Sequence, residues 1–173
     1  MSESGRISVN YVVNASEFNK NITQMKKNLQ LCTQEVKNSA KEINLYGNNI
    51  QTLTSKQKAI QSAISQSEKI ISAYSQNIEK NKAALTANKN ELEKLAAKKK
   101  EANSAFKDAV KMYGEESEEA KKLKDSLDDV SEQYSIMQSK IKGNENAITS
   151  NTAQLEKQRG TLLDLKTQLK QTN

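Results

Sequence analysis

The chain has 173 residues, with 27 Lys and Arg against 21 Asp and Glu, a net charge of +6. Only 35% of its residues are apolar, 28% are charged, and Pro, Trp and His are absent. This composition argues against a conventional compact core and against histidine-based acid–base or metal chemistry. It leaves disorder or long solvated helices, and the placement of the few apolar residues decides between them.

Residues 1–13 form a leader. Met1 to Gly5 is a small polar tail. Ile7, Val9, Tyr11 and Val13 then alternate with Arg6, Ser8, Asn10 and Val12, which predicts a short β-strand that needs a neighbouring strand to be stable. A helix start follows. Asn14 is the expected N-cap and Glu17 reaches back to it, with Val13 and Phe18 forming the matching hydrophobic staple.

From residue 14 to 173 one seven-residue apolar repeat keeps its phase. With Ile22 as position a, the a column runs Ile22, Leu29, Val36, Ile43, Ile50, Gln57, Ile64, Ile71, Ile78, Leu85, Leu92, Lys99, Phe106, Tyr113, Ala120, Leu127, Tyr134, Ile141, Ile148, Leu155, Leu162, Leu169. Gln57 and Lys99 are its only breaks. The d column, through Met25, Cys32, Ser39 and Tyr46, is more mixed. A sustained a/d pattern predicts an all-α, left-handed coiled coil, with the apolar a residues as its core.

Two places interrupt the helix signal: residues 46–49, around Gly47, and residues 113–117, around Gly114. At the second, Ser117 is positioned to cap a new helix whose first turn carries Glu118 and Glu119. Gly143 and Gly160 are weaker breaks. Two architectures follow. In one, a continuous helix pairs in parallel with other copies, a rod of about 230 Å. In the other, the chain turns near Gly114 or Gly47 into an antiparallel helical hairpin. The phase continues from Ile43 to Ile50 and from Tyr113 to Ala120, and a hairpin does not require that, so the continuous parallel form is the expectation.

Small or apolar residues at e and g, among them Ala63, Ile70, Ala84, Val110 and Met112, widen the stripe and suit three or more helices. Opposite charges at g and e are few, Glu119 with Lys124 and Lys140 with Glu145 being the clear pairs. Four d positions carry asparagine: Asn81, Asn88, Asn144 and Asn151. A buried amide has to be satisfied, so these layers either fix register and strand number at a cost in stability or mark loosely packed, partly wet layers. They resemble the asparagine layers in stalks of trimeric autotransporter adhesins. That resemblance implies a parallel homotrimer with three inward amides around a trapped anion.

No other cofactor is expected, and no enzyme. One cysteine, Cys32, sits at d as a small hydrophobe, and five scattered glycines make no phosphate loop. The acidic run from Glu115 to Asp129 and the triplet Lys98 to Lys100 are solvated helix surface. Interleaved charges and few aromatics speak against specific nucleic-acid binding. No apolar run reaches membrane-spanning length and no secretory signal is seen, so cytoplasmic synthesis is expected.

Two stretches carry a family likeness. One is the leader from Arg6 to Phe18; the other is Tyr113-Gly114-Glu115-Glu116-Ser117-Glu118-Glu119-Ala120-Lys121-Lys122-Leu123, followed by Leu127, Val130 and Tyr134. Both resemble the N-terminal region of tail tape measure proteins from long-tailed phages and phage-tail-like particles. The resemblance implies a helical ruler packed in a tail tube inside the virion or particle, which sets tail length. Its partners would be tail tube subunits, tail assembly chaperones and baseplate or tail-tip proteins. Such proteins run to many hundreds of residues, so the chain reads as an N-terminal portion. A different coiled-coil scaffold, tether or stalk is the alternative.

Overall fold

The computed structural model describes residues 15–172. The expected N-cap Asn14 and the expected strand lie outside the described residues. Among those described, every regular element is helical: α1 (Ala15–Tyr46), α2 (Ile50–Tyr113) and α3 (Glu118–Thr172). Glu17 sits in the first turn of α1, where a carboxylate favours the positive end of the helix dipole.

The continuous helix is the expectation that the structure corrects. Helix α1 stops at Tyr46 because Gly47 adopts φ +79° and donates its N–H to the Ile43 carbonyl at 2.9 Å, a left-handed C-terminal cap. Helix α2 then starts on a reciprocal cap. Thr52 N–H donates to Asn49 Oδ1 at 2.9 Å, and Asn49 N–H donates to Thr52 Oγ1 at 3.2 Å. Helix α2 ends the same way at Gly114, φ +85°, whose N–H meets the Val110 carbonyl at 3.0 Å. Ser117 caps α3 as expected, its Oγ accepting from Ala120 N–H at 3.2 Å and donating to the Gly114 carbonyl at 2.8 Å. Gly143 and Gly160 stay helical inside α3; an isolated glycine costs only about 1 kcal/mol, less than a packed helix of this length supplies.

The described residues divide into two compact units. The three-helix unit holds α1, residues 50–80 of α2 and residues 148–172 of α3. Ile22 clusters with Ile70, Tyr74, Ile78 and Leu155, while Val36 clusters with Ala59 and Ile60, against which Leu169 packs. As α1 is followed from Ile22 to Val36 its partners therefore descend α2 and ascend α3, so α2 runs antiparallel to the other two. Phe18 meets the Tyr74 ring edge-on at 5.7 Å, and Lys26 Nζ lies 5.6 Å from that ring's centre. The g residues Ala63 and Ile70 are fully buried here, which is how a third helix uses a widened stripe.

The two-helix unit holds residues 81–113 of α2 and 118–147 of α3, joined by the turn at Gly114. Asn88 bonds to Asn144, Lys89 to Glu145, and Lys99 lies over Tyr134, so the two segments are antiparallel. In both units the stripe is covered by other segments of the same chain. Within each unit the helices that face the stripe are therefore segments of this chain, where a parallel homotrimer would draw them from other copies.

Ile70→Ala empties a fully buried site between helices and is expected to lower stability by about 2–5 kcal/mol. Leu163→Ala, on an exposed face, is expected to stay within about 0.5 kcal/mol. Urea unfolding followed by circular dichroism checks both.

Candidate functional site

Most polar residues of the d column lie inside the seam, the exposed Glu116 at the Gly114 turn excepted. In the two-helix unit Asn88 Nδ2 donates to Asn144 Oδ1 at 2.8 Å, and Asn144 Nδ2 donates to Asn81 Oδ1 at 3.1 Å. Asn144 thus reaches two residues of α2 one heptad apart. All three amides are buried, and Asn88 Oδ1 is left without a hydrogen-bond partner. In this arrangement N–H groups are directed at neighbouring carbonyls and the orphan atom is an acceptor. Such a site suits a donor such as water better than an anion.

The three-helix unit carries its own polar contacts. Asn151 Nδ2 donates to Asn77 Oδ1 at 2.7 Å, and Gln158 Nε2 donates to Ser67 Oγ at 2.7 Å. Gln57, a break in the a column, donates Nε2 to the Thr172 carbonyl at 3.4 Å, answering one of the carbonyls that a helix end leaves unpaired. Lys99, the other break, keeps a half-buried stem in the two-helix unit and sets its Nζ 5.3 Å from the centre of the Tyr134 ring. The polar interruptions of the stripe are therefore accommodated within it.

The expected core residues divide into three groups. Ile22, Val36, Ile78 and Leu155 are buried, and Leu29, Ile64, Ile71 and Ile148 pack against the buried clusters. Ile43, Leu85, Leu92, Phe106, Leu127, Ile141 and Leu162 are half-buried. Ile50 is the correction: at the reversal between α1 and α2 it is 86% exposed, because the chain turns away where the stripe would continue. The d column is the better buried of the two, with Ile60, Ser67, Tyr74, Leu95, Ala109, Met137, Gln158 and Leu165 all buried. Asn77, at a g position, also belongs to the polar set and was not anticipated.

Charge follows the antiparallel order. Lys89 Nζ lies 3.4 Å from Glu145, and in the other unit Lys166 Nζ lies 3.3 Å from Glu68. Both pairs join position e to position e, the combination that antiparallel helices bring together. The anticipated partner of Glu145, Lys140, belonged to a parallel reading.

An open recess of about 470 Å³ in the two-helix unit is lined by Lys99, Lys100, Asn103 and Asp128, with Ala96, Leu127 and Ser131. Among the described residues no group of three or more His, Cys, Asp or Glu is placed to hold a metal ion. No described helix is long and apolar enough to cross a membrane.

Asn144→Ala removes the shared partner of Asn81 and Asn88 and is expected to destabilise by about 1–3 kcal/mol. Replacing Asn81, Asn88 and Asn144 together by Leu is expected to restore or raise the melting temperature, because no amide is then stranded. Thermal melts of the two variants give the comparison.

Comparisons of the chain with known protein families, with characterised proteins and with solved structures find no match.

Proposed function

We propose that this chain is a non-enzymatic helical assembly element, the N-terminal part of a tail tape measure protein. It would be made in the cytoplasm and carried inside a phage or phage-tail-like particle. The observation that carries the reading is the Tyr113–Leu123 stretch, whose sequence resembles that family; its Gly114 and Ser117 form a capped turn. The leader from Arg6 to Phe18 supplies the second point of likeness. Fold and polar seam support the wider class. The buried polar groups mostly bond to one another across the seam, so their evident work is to set how helices align.

In finer detail we propose an antiparallel coiled coil, knobs into holes, in place of parallel copies. Tail tube subunits, tail assembly chaperones and baseplate or tail-tip proteins are the partners this reading names. A second reading is a helical scaffold or tether with no part in measuring length. The pairing of the arms within one chain favours it, since a ruler converts residue number to length most directly as one open helix.

Removing matched heptads separates the two readings. Deleting residues 89–109 together with 124–144 keeps both the phase and the facing order of the arms. In the tail that carries this chain, the deletion is expected to shorten the tube by about 63 Å if the arms lie end to end, or about 32 Å if they stay folded. Electron microscopy of tail length is the measurement. Tails of unchanged length, with the particle still assembling, would favour the scaffold.

A further inference from the structure

The seam residues that the fold leaves uncovered are not scattered. Among the large apolar residues at a and d, the exposed ones are Tyr46 at 74%, Ile50 at 86% and Tyr113 at 61%. All three flank the two reversals. The stripe itself passes through both turns without losing step, from Ile43 to Ile50 and from Tyr113 to Ala120. A hairpin has no use for that continuity, whereas a helix that runs straight on requires it.

The two reversals are held unequally. At Gly47 the buried Thr52 ties the turn from inside: its one Oγ1 hydrogen is shared between the Gly47 and Asn49 carbonyls, 3.0 Å from each, in addition to the reciprocal cap with Asn49. At Gly114 the turn is held by the half-buried Ser117, whose Oγ and N–H both donate to the Gly114 carbonyl at 2.8 and 3.3 Å, and by the exposed Lys121–Glu116 pair at 3.3 Å. With no buried side chain tying it, the second turn is the easier of the two to open.

We infer that the chain opens at Gly114 and exchanges arms with a second copy, α2 of each copy pairing antiparallel with α3 of the other. Straightening residues 113–117 carries Tyr113 and Glu116 into the stripe and makes the pairing two-fold symmetric about the former turn. The contacts Asn88–Asn144, Lys89–Glu145 and Lys99–Tyr134 are remade between copies without change of register. Charge selects this pairing over a parallel one. Residues 81–113 carry more lysines than acids, including Lys98, Lys99 and Lys100, while residues 115–147 carry more acids than lysines. Parallel copies would set the lysine triplets side by side; exchanged arms set each opposite the acidic segment. The inference rests on the stripe and the turn, and does not depend on the tail reading.

The test uses the full chain with Cys32→Ser. Lys89→Cys and Glu145→Cys are placed on separate chains, which are unfolded, mixed and refolded, then oxidised and run on a non-reducing gel. Disulfide-linked dimers are expected between the two variants. Light scattering over a concentration series gives the monomer–dimer balance. Gly114→Ala should raise the dimer association constant at least about tenfold, since in each of two chains alanine disfavours the left-handed turn and favours continuous helix. Inserting Gly-Ser-Gly after Glu115 should lower it, because a slack turn closes the hairpin without strain. A Gly114→Ala chain that keeps its helix content and stays monomeric overturns the inference, as do trimers, or dimers in which position 89 never links to position 145. If Gly114→Ala loses helix content, the lengthened turn decides: a dimer share equal to that of the parent chain overturns the inference.

Discussion

Everything in the alignment of the two-helix unit depends on burying amides that cannot be left unpaired. Asn144 is bonded on both sides, to Asn88 and to Asn81, which stand one heptad apart on α2. An apolar seam repeats every seven residues and so tolerates a slip of one heptad with little loss. The amides do not. A slip in either direction removes one of the two bonds to Asn144 and strands a buried donor or acceptor, at roughly 1–3 kcal/mol each. Leucine at the same positions would pack better and specify less. With Asn144 bonded on both sides, this seam favours alignment over strength.

The two units answer the same stripe differently. Where α1 is present, the widened face of α2 is covered and Ile60, Ala63, Ser67 and Ile70 are inaccessible to solvent. Where only α2 and α3 meet, Leu85, Leu92, Phe106, Leu127 and Ile141 remain half-exposed. Two helices cannot enclose a stripe that is broad enough for three, and the hydrophobic gain per residue falls accordingly. Local opening is therefore cheaper in the two-helix unit, and its turn is the less firmly tied of the two. Stability and the capacity to rearrange are thus assigned to different stretches of one repeat.

Much of this could be seen in the residues. The heptad phase, the terminating glycines, the Ser117 cap with its acidic first turn, and the need for a third helix beside Ala63 and Ile70 all follow from local chemistry and periodicity. Chain direction did not, because an a/d stripe looks the same whichever way its partner runs. The information was present in the flanking charges: Glu68 with Lys166 and Lys89 with Glu145 match as e to e, which only an antiparallel partner can use. Unbroken phase across Gly47 and Gly114 pointed to a straight helix, and the left-handed conformation of the two glycines outweighed it. The burial of Ser67 and Gln158 was equally hidden, since each is polar alone and acceptable only once bonded to the other.

The conflict between phase and turn has a physical resolution. If the arms make the same contacts within a copy or between copies, nearly all of the seam energy cancels from the comparison. What remains is confined to residues 113–117. The closed form keeps Gly114 left-handed, retains the Ser117 bonds and leaves Tyr113 exposed. The open form covers Tyr113, continues the backbone ladder and sacrifices the translational freedom of one chain, a cost estimated at about 4–15 kcal/mol. Dilution therefore selects the hairpin and crowding selects the exchanged pair, with one glycine setting the midpoint. A chain that assembles among many copies would experience that change of concentration directly. The seven-residue phase kept through Gly114 is then a constraint imposed by the second state, not by the fold in which the turn is closed.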